Sequence, residues 1–170
     1  MIRAYVALGG NEGDVLQSFR QALTALSQGD TRVVCVSSVY RTRAVLQDNV
    51  PQADYWNAAC GLDTQRDPLA LLQRLLQLEK QAGRQRRRRW APRPLDLDLL
   101  LYGDQVIELP ALRVPHPLLQ ARGFVLHPLA EIARDVVVPG QGKTVAQLLQ
   151  ALPPEKTDVL AKQAFSLEKT

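Results

Sequence analysis

The run Pro94-Leu95-Asp96-Leu97-Asp98-Leu99-Leu100-Leu101-Tyr102 limits what this chain can fold into more than any other stretch. Alternate side chains of a strand point the same way. A strand here therefore puts Asp96 and Asp98 on one side and Leu95, Leu97, Leu99 and Leu101 on the other. The leucine side must be core. Two carboxylates then stand together on an apolar strand, which is costly to bury without cations. The preceding segment is rich in them, with six arginines and Trp90 between Arg84 and Arg93. Mg²⁺ is the more natural partner if a polyphosphate is also present. Residues two apart on a strand start roughly 6.6 Å apart at Cα, and paired Mg²⁺ ions of phosphoryl sites sit about 3.5–4 Å apart. The first expectation is thus a polyphosphate site, with the carboxylates on metal and the arginines on phosphate oxygens.

The rest of the chain frames that strand. Its 170 residues suffice for one domain with a real core. No apolar run reaches the roughly 18 residues a membrane span needs. Met1 to Val6 reads as a strand and not as a signal peptide. Cys35 and Cys60 lack metal-ligand spacing and read as reduced core thiols, so a cytoplasmic protein is expected. The net charge of +4 matters less than the local arginine density, which suits a nucleic acid or a small anion.

Residues 2–8 alternate like a half-buried strand. Gly9-Gly10-Asn11-Glu12-Gly13 reads as a turn and lacks the Gly-Lys-Ser/Thr ending of a nucleotide P-loop. Asp14 caps a helix running to about Gln28. Val33 to Tyr40 and Tyr55 to Leu62 read as strands, separated by a polar loop. Asp67-Pro68 opens a second helix, with Leu69, Leu72, Leu75 and Leu76 as its apolar face and Glu79 following on that face. After the carboxylate strand, His116 is held between two prolines. A helical stretch runs from Phe124 to about Ala133, Val136 to Val138 is extended, and Thr144-Val145-Ala146-Gln147 is a capping box. The tail after Pro153 reads as polar and loosely held. The order is β-α-β-β-α-β. This predicts an α+β, ferredoxin-like antiparallel sheet with helices on one face and a C-terminal helical appendage, residues 1–152 forming the domain and 153–170 its tail.

The segment Arg89-Trp90-Ala91-Pro92-Arg93-Pro94-Leu95-Asp96-Leu97-Asp98-Leu99-Leu100 resembles the signature of the 6-hydroxymethyl-7,8-dihydropterin pyrophosphokinase family of folate synthesis. Further segments are similar in the same order: Leu8-Gly9-Gly10-Asn11, Ser38-Val39-Tyr40-Arg41-Thr42, Asp54-Tyr55-Trp56-Asn57-Ala58-Ala59, Glu79 with Gly83-Arg84, Val114-Pro115-His116 and Arg122-Gly123-Phe124. The resemblance implies transfer of the β,γ-pyrophosphoryl group of ATP to the pterin hydroxymethyl oxygen, giving AMP. It implies two Mg²⁺ ions on Asp96 and Asp98, with Arg84 and Arg93 as catalytic arginines over the phosphates. Glu79, Arg84, Arg93, His116 and Arg122 would serve ATP. Asn11, Thr42, Val45, Tyr55, Asn57, Trp90 and Phe124 would serve the pterin, Tyr55 and Phe124 by stacking. The chain departs from the family pattern at Arg43, Ala111 and Pro117 and in a shorter arginine loop.

Two other classes compete. A nucleic-acid module of this topology would display aromatic stacking residues on the central strands. Aspartates stand on the fourth strand instead, so no nucleic-acid partner is expected. A metal-dependent phosphodiesterase would also use two carboxylates, but it has no need of the pterin-pocket residues. A monomer is expected.

Overall fold

The computed structural model describes residues 1–43, 53–83, 94–154 and 159–165. Arg84, Trp90, Arg93 and Val45 lie outside the described residues. The elements run β1 (Ile2–Gly10), α1 (Val15–Leu26), β2 (Thr31–Val36), β3 (Val39–Thr42), β4 (Tyr55–Thr64), α2 (Pro68–Gln81) and β5 (Asp96–Tyr102). There follow β6 (Ile107–Glu108), β7 (Arg113–Val114), α3 (Gly123–Ala133), β8 (Val137–Val138), β9 (Lys143–Thr144), α4 (Val145–Gln150) and β10 (Ala161–Gln163).

The main sheet is antiparallel, with strand order β10-β3-β4-β1-β5 and β2 also paired to β4. The mixed α+β class expected from sequence is therefore present. The expected single strand from Val33 to Tyr40 is two strands, β2 and β3, both paired with β4. The break falls at Ser37, whose hydroxyl accepts from Ala59 N–H and donates to Ser38 C=O.

Helices cover both faces of the sheet, not one. On one face α1 and α2 bury Phe19, Leu23, Leu71 and Leu75 against Ala4, Val6, Leu8, Cys60, Leu62, Leu95, Leu97 and Leu99. On the other, α3 and α4 bury Leu126, Leu129 and Leu148 against Tyr5, Ala59, Leu100 and Leu101. Sequence periodicity does not reveal this second layer, because residues facing α3 on β1 and β4 include the small Ala7, Ala59 and Gly61, which carry little hydrophobic signal.

Three local readings change with the packing. The core side of α2 is Leu71, Leu75, Leu78 and Glu79, while Leu69 and Leu76 are exposed. Leucines occupy most of this helix's circumference, so spacing alone leaves its rotation open. Leu101 does not share a face with Leu97 and Leu99. A bulge opposite Tyr5/Val6 shifts the register and turns Leu101 to the α3 side. The tail is docked, at least where it is described: β10 pairs with β3, and Phe165 meets Phe19 edge-on at 6.4 Å. Among the described residues, no helix is long and apolar enough to cross a membrane.

Candidate active site

Gly9 and Gly10 are not a turn; they are the last two residues of β1. Each has a packing reason. A Cβ on Gly10 would stand 2.7 Å from the Pro94 carbonyl oxygen, so the bare backbone lets the chain enter β5 at close range. A Cβ on Gly9 would stand 3.3 Å from Asn57 Oδ1 and 4.0 Å from Asp96 Cβ. Gly9 thus leaves open the space between the amide and the carboxylate. Neither role can be read from a Gly-Gly pair in sequence.

Register sets the shared face. Gly9 pairs with Asn57 on one side and Asp96 on the other, Ala7 pairs with Asp98, and Thr42 pairs with Tyr55. Pleating then puts Thr42, Tyr55, Asn57, Gly9, Asp96 and Asp98 on the face that α3 partly covers. Asn57 is buried and its Nδ2 donates to Thr42 Oγ1 at 2.9 Å. This leaves Asn57 Oδ1 toward Gly9. Asn11 sits at the end of β1, buried, with Nδ2 donating to the Ala53 carbonyl at 3.1 Å. Tyr55 and Phe124 are both half-buried, so each keeps aromatic surface in reach of a ligand.

Asp96 is half-buried and Asp98 exposed, while the next four residues of β5 are buried. The strand is anchored at one end and presents carboxylates at the other. Because β5 ends the sheet, the Leu97 N–H points away from β1. The buried Glu79 of α2 accepts it with Oε2 at 2.9 Å. The helix rotation that exposes Leu76 brings this carboxylate inward. Glu79 therefore holds the backbone between the two aspartates.

The segment after β7 lies along the same edge, its His116 N–H donating to the Leu100 carbonyl at 3.1 Å. The peptide bond Val114-Pro115 is cis. His116 Nδ1 accepts the Leu118 N–H at 3.2 Å. In the neutral ring the proton then sits on Nε2, free to donate. Burial lowers the imidazole's pKa below its ordinary value; Asp98 opposes this and Arg122 reinforces it. Arg122 precedes α3 and lies 5.6 Å from the Phe124 ring centroid, a cation–π contact. It joins the His116–Asp98 side of the site to the Phe124 side.

The donor chemistry fits Mg²⁺. This ion takes one or two carboxylates and completes its shell with water and substrate phosphate. Asp96 and Asp98 offer that set, and among the described residues no cluster of three metal-ligating side chains competes with it.

Comparison with known proteins decides the family. The family model described as 7,8-dihydro-6-hydroxymethylpterin-pyrophosphokinase (HPPK) matches residues 5–134. The chain belongs to this HPPK family. That membership makes it an enzyme of the diphosphotransferase class. The chain is similar to the 2-amino-4-hydroxy-6-hydroxymethyldihydropteridine pyrophosphokinase of Synechocystis sp., with 47% identity over 148 residues, 86% of this chain and 74% of the relative. The Pseudomonas aeruginosa protein of the same description is 43% identical over 157 residues, 90% and 93% of the two chains. In fold the chain resembles Plasmodium falciparum HPPK-DHPS crystallised with pteroate, at a TM-score of 0.70 and 14% identity. That likeness covers 88% of this chain but only 42% of the longer Plasmodium chain. The HPPK match spans β1 through α3, hence every described residue discussed above as part of the site.

Proposed function

We propose that this chain transfers the β,γ-pyrophosphoryl group of ATP to the hydroxymethyl oxygen of 6-hydroxymethyl-7,8-dihydropterin in folate biosynthesis, releasing AMP. The observation that carries the reading is one sheet face with two aspartates beside a buried amide, separated by an uncovered glycine. The sheet order, with β4 between β3 and β1, supports the ferredoxin-like reading for residues 1–152.

Asp96 and Asp98 would hold two Mg²⁺ ions. When bound, these would neutralise phosphate charge and lower the pKa of the attacking hydroxyl. The remaining chemistry is positioning. Asn57 Oδ1 and the Thr42 hydroxyl read the pterin's polar edge, and Tyr55 and Phe124 stack on its faces. Asn11 closes the pocket floor through Ala53. Val45 and Trp90 add pterin contacts. The neutral His116 donates from Nε2 to a phosphate oxygen, and Arg122 pairs with the nucleotide phosphates. Glu79 steadies β5 at the edge of the ATP site. Arg84 and Arg93 stabilise charge on the transferring group, a role suited to the guanidinium fork. The hydroxymethyl oxygen bonds to Pβ, the bond from Pβ to the α,β-bridging oxygen breaks, that oxygen keeps the electron pair and leaves on Pα as part of AMP, and the hydroxyl proton passes to solvent.

The test is AMP formation from ATP with Mg²⁺, with and without the hydroxymethylpterin. AMP that requires the pterin is expected. Nucleotide cleavage that ignores the pterin would favour hydrolysis instead, and absence of turnover would overturn the reading.

A further inference from the structure

The same sheet face carries a second polar cluster that the proposed reaction leaves unused. It centres on Glu131, in the last turns of α3, an exposed residue whose side chain is 30% accessible. Glu131 Oε1 accepts the Ser38 N–H at 2.9 Å and the Ser38 hydroxyl at 2.8 Å. Oε2 accepts the Tyr40 hydroxyl and lies 3.8 Å from Lys162 Nζ. Lys162 belongs to β10 and stands 5.6 Å from the Tyr40 ring centroid. One carboxylate therefore ties α3 to β3 and to the docked tail.

The contacts also give direction. Glu131 meets Ser38 and Tyr40, and one turn back His127 stacks on Tyr40 at 6.1 Å and 26°. Hence α3 runs antiparallel along β3. Phe124 lies three residues before His127 and seven before Glu131, on the same helical stripe. Roughly 10 Å along the helix from Glu131, it is carried toward the Thr42 end of β3, where Thr42 holds Asn57.

Little else fixes α3 lengthwise. Its buried residues are Val125, Leu126, Leu129 and Ala133 with Gly123 and Pro128, and apolar packing is non-directional. Its N-terminus has no side-chain cap. His127 Nε2 is buried without a hydrogen-bond partner among the described residues, so that ring contributes stacking alone. Among the described residues, the directional bonds from α3 side chains are those of Glu131; the Arg134 carbonyl at the helix end accepts the Ala146 N–H of α4 and does not bear on β3.

We infer that Glu131 is a positioning residue for the pterin pocket, fixing α3 along β3 and so the distance of Phe124 from Tyr55 and Asn57. The inference rests on the pterin reading of that pocket. It is tested by measuring kcat, the two KM values and equilibrium binding of the hydroxymethylpterin. In Glu131→Ala the pterin KM rises about tenfold, while the ATP KM, which depends on Arg122 at the start of α3 but also on groups outside that helix, rises clearly less. Glu131→Gln, which still accepts from Ser38, recovers part of the loss. Arg3→Ala is the control: it breaks the Arg3–Asp63 pair at the far end of the sheet and lowers the melting temperature without moving the pterin KM. If Glu131→Ala does not fold, Ser38→Ala combined with Tyr40→Phe carries the same test from the strand side. Equal rises in both KM values, no rise, or an equal effect of Arg3→Ala overturns the inference. Wild-type protein that fails to bind the pterin overturns the functional reading with it; wild-type binding with an indifferent Glu131→Ala overturns this inference alone.

Discussion

Asp98 is exposed on the free end of a strand whose other end is buried, so its removal costs the fold little. Asp98→Ala is expected to lower turnover by at least about a hundredfold, because one of two proposed metal-holding carboxylates is gone. Its melting temperature should match wild type within a degree or two. Near-normal turnover measured at saturating Mg²⁺ would remove Asp98 from the metal assignment. Glu79 is the opposite case. It is buried and holds a buried N–H, so Glu79→Ala leaves that donor unsatisfied at about 1–3 kcal/mol. The urea midpoint should fall, and ATP binding should weaken as the backbone between Asp96 and Asp98 loosens. A variant as stable as wild type would show that Leu97 finds another acceptor. Gly9 gives a steric test. In Gly9→Ala the new methyl meets Asn57 Oδ1 at 3.3 Å, so the pterin KM should rise several-fold with ATP binding unchanged by isothermal titration.

At the scale of elements, the two-residue period of β5 was legible in sequence for its first half. Asp96 and Asp98 face together, and Leu95, Leu97 and Leu99 face the helices α1 and α2. The bulge that follows was not legible, because an unbroken run of leucines carries no parity. The caps were legible for a simple reason: Asp14, Asp67 and Thr144 each bond a backbone N–H three residues on, a strictly local interaction. The docked tail was not, since β10 is a short strand of exposed residues whose pairing depends on β3 being at hand. Deleting the chain from Val159 onward removes that pairing and the Phe165 contact with Phe19. A stability loss of about 1–3 kcal/mol is expected, read by thermal unfolding.

At the scale of the whole molecule, several charges sit where acid would undo them. The Arg66 hydrogen bond holds Asp30 below its ordinary value, and the Arg3 hydrogen bond does the same for Asp63. For Glu131, burial pushes upward, but the Tyr40 and Ser38 hydrogen bonds win and its value is lowered. A carboxyl lowered in the folded state contributes stability that is present above its unfolded value and lost as pH falls through the folded one. Tyr40 is raised, chiefly by burial and then by Glu131, so its contribution is lost as pH climbs past the ordinary tyrosine value. Urea midpoints should form a plateau between about pH 5 and 9 and decline on both sides. A midpoint still rising below pH 4 would contradict the three carboxylate assignments. The two-layer cover of the sheet belongs to this scale too. Residues flagged by chemistry, such as Asp96 and His116, were visible one at a time, and Asn57, Phe124 and Arg122 only through the family resemblance; that α3 brings Phe124 and Arg122 over the same face depends on a long-range packing choice that no local pattern carries.

The bulge in β5 makes that strand a cantilever. Leu99 to Tyr102 are clamped between the two helical layers, and Asp96 to Asp98 project from the clamp, propped at mid-span by Glu79. A beam built in at one end and propped near the other deflects little under load. Under the proposed reaction, cations and phosphates arriving at its tip would be received with almost no rearrangement of the core behind it, and the charge change of each turnover would be confined to the few residues beyond the clamp.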